Sequence, residues 1–220
     1  MIFSVYLDSH FDFFVSLPSG CIHKDGAEIL LYQASADGHA HEQSFDMETM
    51  KSALLDRKDP GYPTLFIFKS GAYVFGAFAP TSWQLTDDAQ GEMKSKSKSR
   101  HVQHSSHAQK SFLFSLTLDI KIPYHGRTTA SPGGDDKVQI LGSDYMMFGP
   151  NGDLEIGEEF QVCRSNLEQS YGCGMKMGSA SCLMLLAGCE QFEIDAMEIF
   201  EIRIPGGSTL SPPTSGMVHW

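Results

Sequence analysis

The sequence predicts a mainly β (α+β) protein: a two-sheet antiparallel β-sandwich with a few short peripheral helices. Three observations predict it. Short strand-like runs are numerous and bounded by Gly, Pro, Asp and Ser. Helical signals are few, the clearest being residues 44–56, whose apolar residues fall near helical spacing. The third is a hairpin pattern over 63–79, Pro-Thr-Leu-Phe-Ile-Phe, Lys-Ser-Gly, then Ala-Tyr-Val-Phe-Gly-Ala-Phe-Ala. Its first arm is apolar on both faces, as a central strand covered on each side would be.

In chain order, residues 2–17 are aromatic-rich and fit helix or strand equally, ending at Pro18-Ser19-Gly20. Ala27 to Tyr32 reads as a strand, and Ser35-Ala36-Asp37-Gly38 as a turn in which Asp accepts local backbone bonds. Phe45, Met47, Met50, Leu54 and Leu55 mark the helix, which Pro60-Gly61 stops before the hairpin. Gly76 inside the second arm signals a bulge or a close backbone approach. Trp83 follows a Pro-Thr-Ser corner and is expected to fold back over the hairpin. Residues 86–110 form a polar insertion with too little apolar content to offset ordering entropy. Ser111 to Leu118 returns to strand character, and 128–137 is a second loop. Strands are expected at Val138–Leu141, Tyr145–Phe148, Leu154–Ile156 and Phe160–Cys163, a Gly/Ser-rich loop at 165–182, and a β-rich close from Phe192 to Ile204. A loose tail begins at about 205. The chain reads as a single domain over its 220 residues, long enough to bury roughly 70% of the surface of its unfolded form.

Charge narrows the function classes. The chain carries 16 Lys+Arg against 27 Asp+Glu, net −11. Five of the cations lie in the acid-free stretch 93–110, so the remainder carries 11 against 27. An acidic surface of this kind disfavours nucleic acid and anionic membrane and suits a basic protein partner or solubility. No apolar run reaches transmembrane length, and the N-terminus lacks a cationic leader pattern. The five cysteines are odd in number and show no Cys-x-x-Cys spacing, which fits a reducing, cytoplasmic setting better than a disulfide framework.

Candidate chemistry is thin. His101, His104 and His107 could surround a metal but lie in the polar insertion. Cys163 precedes Arg164 and Cys173 lies near Lys176, so either thiol could be mildly activated by a cation. Cys182 and Cys189 flank an apolar run and are expected to be buried or semi-buried. Asp153 with Glu155, Glu158 and Glu159 could form a carboxylate cluster, though without EF-hand spacing. The sequence assigns no catalytic residue, no metal ligand and no cofactor.

The order of motifs resembles the TLDc domain family. Leu17-Pro18, Glu28 to Tyr32 and Ser35-x-Asp37-Gly38 match its opening; Pro63-Thr64-Leu65 through Val74-Phe75-Gly76-Ala77-Phe78 with Ser82-Trp83 matches its core. Phe112 to Leu116, Gly152-Asp153-Leu154-x-Ile156, and Phe192-x-Ile194 with Met197-Glu198-Ile199-Phe200 match its later strands. The resemblance implies a sandwich of two antiparallel sheets and a role in oxidative-stress resistance. It also implies association with subunits of the peripheral sector of the vacuolar proton-pumping ATPase, and recruitment through that partner to endolysosomal or vacuolar membranes. The family-motif positions Asp37, Gly38, Gly76, Trp83, Gly152 and Glu198 are candidates for structural or partner-binding roles. The expected function is a non-enzymatic interaction domain. The alternatives are a thiol- or carboxylate-dependent enzyme, antioxidant or hydrolase, and a ligand-binding β-sandwich.

Overall fold

The structure is a computed structural model that describes residues 27–36, 44–57, 62–80, 83–85, 110–126, 138–157 and 160–203. Its elements run β1 (Ala27–Ser35), α1 (Met47–Leu55), β2 (Thr64–Ser70), β3 (Tyr73–Ala79), β4 (Gln84–Leu85), β5 (Phe112–Ser115) and β6 (Ile120–Pro123). They continue with β7 (Gln139–Leu141), β8 (Met146–Phe148), β9 (Leu154–Ile156), β10 (Cys163–Ser165), α2 (Ala180–Met184), β11 (Gln191–Phe192) and β12 (Ala196–Arg203). The strands form two six-stranded sheets, ordered β1-β12-β2-β3-β5-β6 and β11-β10-β9-β8-β7-β4. The first is antiparallel throughout; in the second only the β4–β7 pair is parallel.

The hairpin lies at the centre of the first sheet, as its two apolar faces require. In β2 every residue except Lys69 is buried, and in β3 every residue except Tyr73. Strand alternation sends Phe66, Phe68, Phe75 and Ala77 into the core shared with the second sheet. Rings cross that interface: Phe66 meets Phe148 of β8 edge-on at 5.3 Å, and Phe75 meets Phe192 of β11 at 5.4 Å. Trp83 completes the layer. It packs edge-on against Phe66 at 5.2 Å and Phe148 at 5.4 Å, and its Nε1 donates to Thr64 Oγ1 at 3.3 Å. An indole buried without such an acceptor would lose about 1–3 kcal/mol.

Helix α1 follows from its cap. The carboxylate of Asp46 accepts the backbone N–H groups of Glu48 and Thr49, which satisfies donors that a helix start leaves open. Met47, Met50 and Leu54 then enter the core beside Tyr32 and Ala34.

Several expectations shift. The first strand extends to Ser35, with a register irregularity between Leu30 and Tyr32. The strand expected at Phe160–Cys163 is Cys163–Ser165 instead; Phe160 has φ +61, which no strand accommodates. The stretch from Phe192 to Ile204 is two strands, broken at 193–195. Strands β4 and β6 were not anticipated, and the Gly/Ser-rich loop contains the short helix α2. The polar insertion and the tail lie outside the described residues, apart from Lys110.

Gly76 explains the regularity of β3. It continues the β2–β3 and β3–β5 ladders without a register shift, so the close-approach reading applies and not the bulge. A Cβ there would collide with the Phe66 carbonyl oxygen and lie 2.5 Å from Phe114 Cζ. The neighbouring strands fill that space, not Trp83. Gly152, by contrast, has φ +76 in the β8–β9 turn, and a Cβ would meet only Met147 Sδ at 3.5 Å and Glu155 Oε2 at 3.8 Å. Gly76→Val is therefore expected to cost about 3 kcal/mol or more and to abolish a cooperative thermal transition. Gly152→Val should cost about 1–2 kcal/mol for its left-handed backbone and Gly152→Asn less. Thermal unfolding of the three variants checks the order.

Candidate functional site

The candidate residues separate by face. Across the first sheet the register aligns Gln33, Glu198, Ile67, Gly76, Phe114 and Lys121 in one row. Glu198 and Gly76 thus share the face turned away from the second sheet, two strands apart, roughly 10 Å. Glu198 is buried, and its Oε1 accepts from Gln33 Nε2 at 3.3 Å. Trp83 lies on the opposite, inner face, and Gly152 belongs to a turn of the second sheet. Asp37 and Gly38 lie outside the described residues, as do Cys21, the three histidines of the insertion, Glu158 and Glu159.

The densest polar construction is a corner joining the two sheets, and its centre is Asp153. This carboxylate is buried at the end of the β8–β9 turn. Its Oδ1 accepts backbone N–H groups from Gln169 at 3.1 Å, Ser170 at 2.9 Å and Tyr171 at 3.0 Å. Burial raises its pKa above the ordinary carboxylate value, while those amides oppose the shift. Glu168, at φ +72, extends the corner by accepting the N–H groups of Cys173 at 2.7 Å and Met175 at 3.0 Å. Tyr171 reaches the first sheet: its hydroxyl lies 2.6 Å from Ser111 Oγ, which donates to Phe78 O at 2.9 Å. Tyr171 also forms an antiparallel bridge with Tyr124, and the rings meet at 5.2 Å.

The two described members of the carboxylate cluster, Asp153 and Glu155, lie in different settings. Asp153 accepts backbone amides, and Glu155 sits half-buried in strand β9, opposite Met147 and Arg164. Sequence reasoning grouped Asp153 with its neighbours in the chain, whereas its partners lie 16 to 18 residues further on. The Gly-Asp turn was the available signal.

The buried carboxylate of Glu201 was not foreseen. Glu201 of β12 is held by Arg203 Nε at 2.7 Å and Arg57 Nη1 at 3.9 Å. Arg57 also donates to the carbonyl oxygens of Leu54 and Tyr62, which ties the end of α1 to the strand layer.

The thiols correct three expectations. Cys163 is buried, and desolvation pushes its thiol up to about 12; strand alternation turns Arg164 outward, away from it. Cys173 is exposed, but its thiol is raised, first by partial burial and then by the Glu168 carboxylate. Neither is activated by a cation. Cys182 is buried and raised by desolvation, with its Sγ 3.0 Å from Leu167 O, whereas Cys189 is exposed rather than semi-buried. Among the described residues, no group of three or more His, Cys, Asp and Glu side chains converges as metal ligands would. No helix among them is long and apolar enough to cross a membrane.

The family model of the TLDc domain matches residues 17–203. The chain belongs to the TLDc family. No curated protein matched the chain. The match spans both sheets and all the described strands and includes Gly76, Trp83, Gly152 and Glu198. In this structure Trp83 and Gly76 sit at close-packed positions, and Gly152 in a turn.

Asp153 gives a pH prediction. A carboxyl whose folded pKa lies above its unfolded value stabilises the fold most when protonated. That contribution is present below pH ~4 and is lost as pH rises through the raised value. Stability of the parent relative to Asp153→Asn, measured by thermal unfolding, should therefore be greater at pH 4 than at pH 7. Asp153→Ala leaves three backbone donors without their acceptor and should cost about 3 kcal/mol at pH 7, and more at pH 4 by the same titration increment as Asp153→Asn.

Proposed function

We propose that this TLDc domain is a non-enzymatic, cytoplasmic interaction module in oxidative-stress resistance. In this reading it binds and regulates the peripheral sector of the vacuolar proton-pumping ATPase. The observation that carries the proposal is family membership over residues 17–203. An oxidation-resistance-type domain is what that membership implies.

The chemistry of the described thiols supports an interaction role over a thiol enzyme. A thiol nucleophile needs a stabilised thiolate near neutral pH. Cys163, Cys173 and Cys182 all have raised pKa values, so their thiolates are disfavoured. The buried carboxylates support the same reading. Asp153 binds backbone amides and Glu201 binds arginines, which leaves them engaged in holding the fold. The acidic balance of the chain suits a basic protein surface.

The direct test is binding of the purified chain to the isolated peripheral sector of the vacuolar ATPase. The proposal expects saturable binding that weakens with salt; absence of binding at micromolar concentration contradicts it. A second test separates the enzyme alternative. Replacing the five cysteines by alanine should leave cell-protective activity intact in a variant that retains the parent melting temperature. Loss of protection in Cys173→Ala with unchanged melting would favour thiol chemistry.

A further inference from the structure

The chain contains two asparagines, Asn151 and Asn166, and both flank Asp153: one precedes it by two residues in the turn, and the other bonds to its backbone. Their settings differ. Asn151 is exposed in the β8–β9 turn and is followed by Gly152, which has φ +76 and no side chain to shield its backbone nitrogen. The space around Gly152 is open, since a Cβ there would meet nothing closer than Met147 Sδ at 3.5 Å. Asn166 is half-buried, and its N–H donates to Asp153 O at 2.9 Å. The residue after it, Leu167, is branched and fully buried, so its nitrogen is crowded.

An asparagine side chain is attacked by the backbone nitrogen of the next residue where nothing crowds that nitrogen. Here Gly152 N bonds to Asn151 Cγ, the Cγ–Nδ2 bond breaks, and ammonia leaves, carrying by way of solvent the proton that Gly152 N gave up. The product is a succinimide. Water then opens the ring at either carbonyl. Opening at Cγ gives aspartate. Opening at the backbone carbonyl gives isoaspartate, in which the main chain runs through the side-chain carbons and is one methylene longer. Net, water enters and ammonia leaves, with no oxidant or reductant. The attack must break the bond from Gly152 N–H to Gly149 O at 3.1 Å, a modest loss at a turn where water can replace it.

We propose that Asn151 is a spontaneous deamidation site whose isoaspartate product loosens the corner joining the two sheets. The Asp153 carboxylate lies against Gly149 across this turn and accepts the amides of Gln169, Ser170 and Tyr171. Isoaspartate at position 151 lengthens the backbone two residues ahead of that carboxylate. A turn folded so closely around Asp153 cannot take in a methylene and keep all three amides at hydrogen-bond distance. Ordinary aspartate at 151 adds a charge at an exposed position but no length, and it leaves the corner in place. The isoaspartate form thus frees the loop that carries Tyr171 to Ser111 of the first sheet.

The test incubates the purified, folded full chain at mildly alkaline pH and follows tryptic peptides 138–164 and 165–176 by mass spectrometry. Peptide 138–164 should gain the mass of amide-to-acid conversion and split into two forms, one of them a substrate for an isoaspartyl methyltransferase. Peptide 165–176, which holds Asn166, should keep its mass. An unchanged 138–164, or conversion of 165–176 at an equal rate, would overturn the assignment. So would conversion of 138–164 in Asn151→Gln, which would move the chemistry to a glutamine of that peptide. In a second arm, hydrogen exchange compares the isoaspartate fraction with Asn151→Asp. Amides 169–171 should exchange on the order of tenfold faster in the isoaspartate fraction and at the parent rate in Asn151→Asp. Equal exchange in the two would overturn the effect on the corner.

Discussion

The contact on which the two-sheet architecture depends is the ring cluster of Phe66, Trp83 and Phe148. Phe66 comes from the central hairpin, Phe148 from the facing sheet, and Trp83 from the connection that leaves one sheet for the other. Each edge-on pair contributes about 0.5–1.5 kcal/mol beyond the area it buries. Geometry matters as much as energy. The T-shaped rings fix how the sheets face one another, and the Trp83 hydrogen bond to Thr64 fixes where the chain turns over. Strand β4 begins immediately after Trp83 and pairs with β7 at the edge of the second sheet.

A second constraint acts on the other side of the same hairpin. Gly76 gives up its side chain so that the Phe114 ring can lie over β3, and Phe78 stacks on Phe112 beside it. The hairpin is thus buried on both faces, the inward one against the facing sheet. The polar corner at Asp153 ties the two sheets together next to Phe148. It joins the β8–β9 turn to the loop that carries Tyr171 across to Ser111. Asp153, Tyr171 and Ser111 therefore serve to connect the two sheets.

What the sequence made legible follows from how local each signal is. The hairpin, α1 and β9 could be read because strand alternation, capping and turn chemistry are encoded within a few residues. Strand β6 was not readable. Its Lys121 and Pro123 look unlike a strand, and only its place at the sheet edge makes the proline tolerable. Strand β4 has two residues and exists through a parallel pairing with β7, some 55 residues on. The role of Asp153 depends on amides 16 to 18 residues away, and burial of Cys163 depends on which way β10 faces. Arg164 seemed a partner for that thiol only because adjacent residues in sequence point to opposite sides of a strand.

The most direct test of this account is a double-mutant cycle between Phe66→Leu and Phe148→Leu, read by denaturant unfolding. If the rings hold the sheets together as a unit, the two losses couple by about 0.5–1.5 kcal/mol, the range for aromatic pairs. Losses that simply add, with coupling near zero, would contradict it and leave the sheets joined by nonspecific apolar burial alone.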